Sequence, residues 1–139
     1  MSIQDQAISG KITLESKTEA ICDAVKVILD GLHEAHYSQD EVFAVHLAVE
    51  EAFVNAVKHG NKLDSSKKVI IEYSVTPKMV EICVTDEGKG FNPAAVPDPR
   101  VGDNLFKADG RGILLIRSYM DIIEFNETGN RTRMVKYKV

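Results

Sequence analysis

Several things are scarce or missing in this chain, and each absence narrows its function. Cysteine occurs twice, and Cys22 and Cys83 form no C-x-x-C or Cys/His pattern. That removes the common metal and dithiol motifs, and both are expected as reduced core residues. No apolar run is long enough to span a membrane. The opening "MSIQDQAISGK" lacks the basic and apolar regions of a signal peptide, so the expected location is the cytoplasm. There is no internal repeat and no low-complexity segment. Arginine is absent before Arg100. Basic residues do not dominate: 17 Lys and Arg against 21 Asp and Glu leave a net charge of −4, which argues against direct nucleic-acid binding through phosphate neutralisation.

What is present is ordinary for one folded unit. At 139 residues, with 44% hydrophobic and 27% charged, the chain is expected to form a single domain over 1–139. "KITLESK" alternates Ile12 and Leu14 with polar neighbours and predicts a short strand. Residues 18–35 predict a helix whose face is Ile21, Val25, Ile28 and Leu32. "SQDE" at 38–41 has the spacing of a capping box, Ser38 with Glu41, so a second helix should start near Gln39. It should run to His59 and stop at Gly60. "KVIIEYSV" and "MVEICVTD" read as antiparallel neighbours, "ILLIRSYM" as a short helix, and "IIEFNET" with "RTRMVKYKV" as a closing antiparallel pair. The order implies an α+β two-layer sandwich, with helices on one face of a single mixed or antiparallel sheet.

The second helix carries the first functional signal, "EEAFVNAVKHG". At about 100° per residue, Val42, Val45, Val49, Ala52, Phe53 and Ala56 gather on one buried side. Glu51, Asn55 and His59 follow at i, i+4 and i+8, a polar stripe beside that face. Glu50 points about 140° away from Asn55, whereas Glu51 lies about 40° away. A solvated helix face would look similar. Asn55 is the informative residue, because Asn is a poor helix former. Its carbonyl oxygen suits Mg²⁺, and a carboxylate one turn away can act as a general base.

Two glycine pairs add to this. "VTDEGKGF" puts Asp86-x-Gly88-x-Gly90 at a strand end. This is either a plain turn or a place where a ligand approaches the backbone and a carboxylate accepts from an adenine amino group. "DGRGILLI" opens a helix with Gly110-x-Gly112, either a helix cap or a phosphate site at a helix N-terminus. Arg111 adds charge there, with Arg100 and Lys107 upstream. Neither a complete G-x-G-x-x-G fingerprint after a first strand nor a G-x-x-x-x-G-K-[ST] loop occurs. Between the pairs, residues 87–112 are rich in Gly and Pro, and a lid over 92–109 is expected. Taken in order, these elements describe one nucleotide site, with the polar stripe toward Mg²⁺ and phosphates.

At these residues the chain resembles the GHKL ATP-binding superfamily. "EEAFVNAVKHG" is similar to its N box, "DEGKGF" to its first glycine box and "GRGILLI" to its second. The small size and the "LIRSYMDIIEF" ending resemble the anti-sigma factor and serine-protein kinase family (RsbW-like, SpoIIAB-like), from about residue 10 onward. The resemblance implies a Bergerat-type sandwich that binds ATP with Mg²⁺. It implies that Asn55 ligates Mg²⁺ and that Glu51 activates the attacking group. Asp86 would read adenine, with Gly88, Gly90 and Phe91 in the first glycine box. Gly110, Arg111 and Gly112 would hold phosphate, and His59 would support the site. It further implies phosphorylation of a serine on a STAS-type antagonist, sequestration of a sigma factor, and a homodimer. The lack of arginine before Arg100 is a departure: the first two helices offer a sigma factor no bidentate guanidinium. The alternative is a non-catalytic, ATP-gated protein-binding module, for which a base at Glu51 would have no use.

Overall fold

A computed structural model describes residues 7–88, 116, 119–126 and 130–139. The chain runs through β1 (Ile8–Glu15), a 3₁₀ turn (Thr18–Ala20), α1 (Ile21–Glu34) and α2 (Gln39–Asn55). It continues through a π-helical turn (Ala56–Gly60), β2 (Lys68–Val75), β3 (Met79–Asp86), β4 (Ile122–Phe125) and β5 (Arg131–Tyr137). The strands form one sheet in the order β1-β2-β3-β5-β4. Every neighbouring pair is antiparallel, so of the two sheet types expected the antiparallel one is formed.

Strand alternation decides what meets the helices. Val69, Ile71 and Val75 of β2, Val80, Ile82 and Val84 of β3, and Met134 of β5 share one core with Ile21, Val25, Ile28 and Leu32 of α1. From α2 the expected face, Val42, Val45, Val49, Ala52, Phe53 and Ala56, is buried in the same core. The opposite sheet face carries charge instead. There Arg133 donates to Glu81 at 2.7 Å and to Glu124 at 2.8 Å across three adjacent strands.

The capping box forms as its spacing predicts. Glu41 N donates to Ser38 Oγ at 3.1 Å, and Ser38 N donates to Glu41 Oε1 at 2.8 Å. The second Glu41 oxygen accepts from Val139 N at 2.8 Å, so the start of α2 also fastens the far end of the chain. Of the expected helix "ILLIRSYM", Ile116 and Tyr119 are helical, and Met120 N closes on Ile116 O at 2.9 Å.

Two expectations need correction. Cys83 is buried, but Cys22 is exposed. Ile21, Ala24 and Val25 take the inward positions of that turn, and one 100° step carries Cys22 outside. The second helix is not α-helical to His59. It changes to a π turn at Ala56, closed by Asn61 N on Ala56 O at 2.7 Å.

Candidate nucleotide site

The site is built where the end of α2 meets the end of β3. Asp86 is the last residue of β3 and pairs with Val69, so alternation turns its side chain to the helix-covered side. There it meets the π turn. A Cβ on Gly60 would overlap the Asp86 carboxylate, and a Cβ on Gly88 would overlap the Gly60 carbonyl. Two glycines are thus required for the backbones to close on that carboxylate. Gly88 N donates to Asp86 Oδ1 at 2.8 Å, curling the turn back on the side chain. On the other flank Asp86 N donates to Asn130 O at 2.9 Å, and Asn130 Nδ2 donates to Asp86 O at 3.2 Å.

Asp86 is buried, and burial pushes its carboxyl above the usual aspartate range. The Gly88 amide and the charge of Lys67 oppose that rise. Among the described residues its side chain accepts one hydrogen bond, whereas a carboxylate can accept about four. A desolvated acceptor with spare capacity, walled by backbone, suits a flat ligand that brings its own N–H donor.

On α2, Glu51 and Asn55 are both half-buried one turn apart. Among the described residues, no hydrogen bond or ion pair engages either side chain. Their neighbour behaves differently: Glu50 Oε1 lies 2.8 Å from His46 Nε2, so Glu50 is occupied within its own helix face. The regular stripe holds for Glu51 and Asn55. His59 lies in the π turn that follows and is exposed. Gly90, Phe91, Arg100, Lys107, Gly110, Arg111 and Gly112, with the expected lid over 92–109, lie outside the described residues.

Sequence reasoning passed over Asn61. It is fully buried and hydrogen-bonded to three elements of the frame. Its position just after Gly60 is the only signal, and an Asn at a helix end ordinarily reads as a cap.

Compared with known proteins, residues 14–136 match the histidine kinase-like ATPase domain. The chain belongs to this family. The expected GHKL resemblance is thereby borne out, and with it the use of ATP. Relatives that it matches include kinases and anti-sigma factors. The serine-protein kinase RsbW of Bacillus subtilis is 31% identical over 121 residues, 81% of this chain and 76% of that protein. An anti-sigma F factor of Clostridium perfringens is 30% identical over 107 residues, 71% of this chain and 73% of that protein. Among solved structures, the RsbU and RsbW domains of a Mycobacterium tuberculosis protein superpose with a TM-score of 0.64 at 16% identity. That match covers 94% of this chain and 32% of the other, and it supports the α+β fold. No helix of the described residues is long and apolar enough to cross a membrane.

Proposed function

We propose that this protein is an ATP-dependent protein-serine kinase that also restrains a sigma factor by binding it. In this reading Asp86 accepts from the adenine amino group, with its carboxylate held by the close approach of Gly60 and Gly88. Asn55 offers one hard oxygen to Mg²⁺, in keeping with an ion held by few protein ligands plus substrate phosphates. Bound Mg²⁺ would supply charge neutralisation at the phosphate oxygens. Glu51 orients the serine hydroxyl and takes its proton as that oxygen bonds to the γ-phosphorus and the bond to the ADP oxygen breaks. Gly110, Arg111 and Gly112, with Arg100 and Lys107, complete the phosphate end, Gly90 and Phe91 extend the adenine side, and His59 supports the rim. The substrate is a small antagonist with a STAS domain, and the protein acts as a cytoplasmic homodimer in which residues 1–139 of each copy form a single domain.

The observation that carries the kinase reading is the divergence of two adjacent glutamates. Glu50 is engaged by His46 at 2.8 Å, while Glu51 shares its half-buried strip with Asn55. Incubation with γ-labelled ATP and a lysate of the source organism should label one small acidic protein. Glu51→Gln should bind ATP within a few-fold of the parent and lose transfer by on the order of 10²–10⁴. Glu50→Gln should transfer nearly normally. If the parent labels no protein, the ATP-gated binding module is the better description. If Glu51→Gln labels at the parent rate, the base lies elsewhere.

A further inference from the structure

We infer that Asn61 is a positioning residue that holds the Asp86-Glu87-Gly88 turn in the shape that selects adenine. The inference rests on the proposed reading of Asp86 and adds a second residue to it.

Asn61 stands where the end of the π turn, the exit of β1, the entry to β2 and the exit of β3 converge. Its side chain is fully buried. Nδ2 donates to Ser16 Oγ at 3.1 Å and to Lys68 O at 3.0 Å. Oδ1 accepts from Glu87 N at 2.8 Å. Both amide protons and the carbonyl are therefore engaged, as a buried Asn requires. The two donor contacts go to the frame of the sheet. The acceptor contact goes to the residue that follows Asp86.

That last contact bears on recognition. Glu87 N cannot move without turning the peptide plane that joins it to Asp86. On its other side Gly88 N donates to Asp86 Oδ1 at 2.8 Å, so the carboxylate orientation and the turn are one unit. The carboxyl end of Glu87 is held as well, by Lys68 N at 3.2 Å. Asn61 ties this unit to the rigid ends of β1 and β2, and its own place is set by the π turn, through Asn61 N on Ala56 O at 2.7 Å. Winding the helix end as a π turn brings Gly60 against the carboxylate and Asn61 beneath the turn together. π turns recur at functional sites for this kind of re-aiming. Preorganised hydrogen-bond geometry then becomes selectivity, because a misaligned acceptor leaves a buried polar edge unpaired.

The experiment compares Asn61→Ala, Ser16→Ala and Asp86→Ala. The readouts are ADP and GDP affinity by titration, thermal midpoint, and hydrogen exchange at the Glu87 amide without nucleotide. Ser16→Ala removes a contact on the frame side only, so it should lower the midpoint and keep the ADP-to-GDP affinity ratio. Asn61→Ala should lower the midpoint too, but also weaken ADP by about tenfold or more, leave GDP little changed, and speed exchange at Glu87. If Asn61→Ala keeps the parent ratio while its midpoint falls as in Ser16→Ala, Asn61 is structural and the inference is overturned. If Asp86→Ala itself binds ADP as the parent does, the adenine reading fails first and this inference with it. Should Asn61→Ala not fold, Asn61→Asp replaces it. Asn61→Asp keeps an acceptor for the Glu87 amide and is compared with Asn61→Ser, whose shorter side chain withdraws it: a ratio kept in Asn61→Asp and lost in Asn61→Ser supports positioning, and a ratio kept in both overturns it.

Discussion

Gly60 lies so close to the Asp86 carboxylate that a single added carbon on Gly60 would overlap it. Helix end and strand end are thus packed through a glycine, with the buried acid between them. Gly60→Ala must push one of the two away. Overpacking of this kind typically costs about 1–3 kcal/mol. We expect a lower urea midpoint and a larger fractional loss in ADP affinity, read by titration of the variant under conditions where it is fully folded. An unchanged midpoint would mean that the two backbones separate easily, and the walled-carboxylate description would be wrong.

Asp86 should be a liability for the empty protein. Burial raises its folded pKa above that of the unfolded chain. A raised pKa contributes stability below the ordinary aspartate range, and that contribution is lost as pH rises through the folded value. At neutral pH the charged form is therefore the strained one. Asp86→Asn keeps an oxygen for the Gly88 amide and removes the charge. It should be at least as stable as the parent at neutral pH, with the difference shrinking as the pH falls through the raised folded value toward the ordinary aspartate value. ATP binding should be lost in the same variant. Thermal midpoints across that pH range, with and without nucleotide, check both parts.

Asn55→Ala separates metal binding from folding. Ala is the better helix former, and Asn55 flanks the core rather than filling it, so the helix should survive or gain a few tenths of a kcal/mol. What should disappear is the Mg²⁺-dependent part of ATP affinity. Titrations with Mg²⁺ and with a chelator would show it. A variant whose Mg²⁺ dependence matches the parent would leave Asn55 without a ligand role.

Glu41 couples the start of α2 to the chain's end. Burial alone would raise its pKa, but the amides of Ser38 and Val139, the Ser38 hydroxyl and the charge of Lys138 bring it below the usual glutamate range. A lowered folded pKa contributes stability above the unfolded value, and that contribution is lost as pH falls through the folded one. Glu41→Ala should cost about 0.5–2 kcal/mol near neutrality, in the range of lost caps. The gap from the parent should narrow in acid. Ser38→Ala should show part of the loss, since the Val139 contact to Glu41 does not depend on the Ser38 hydroxyl. Urea denaturation at several pH values would read all three.

The local features of this fold were open to sequence reasoning because their causes lie within a few residues. The Ser38–Glu41 box is a three-residue offset, and it forms. The buried face of α2 and the bounds of β2 and β3 follow from periods of 3.6 and 2. The family was legible from three short boxes in order, and residues 14–136 carry it. Cys22 was misread because residue type outweighed its helical angle, which a stricter use of the 100° step would have corrected.

The sequence by itself therefore determined the two-layer plan, the helix start, the apolar faces and the divergence of Glu50 from Glu51, all consequences of short-range geometry. Only the tertiary structure decided that the helix end winds as a π turn, that Gly60 touches Asp86, and that Asn61 reaches Ser16, Lys68 and Glu87 at once. Those contacts join residues far apart in the chain. They exist because packing α2 on the sheet brings its end against β3, and no local period or propensity encodes where two such ends will meet.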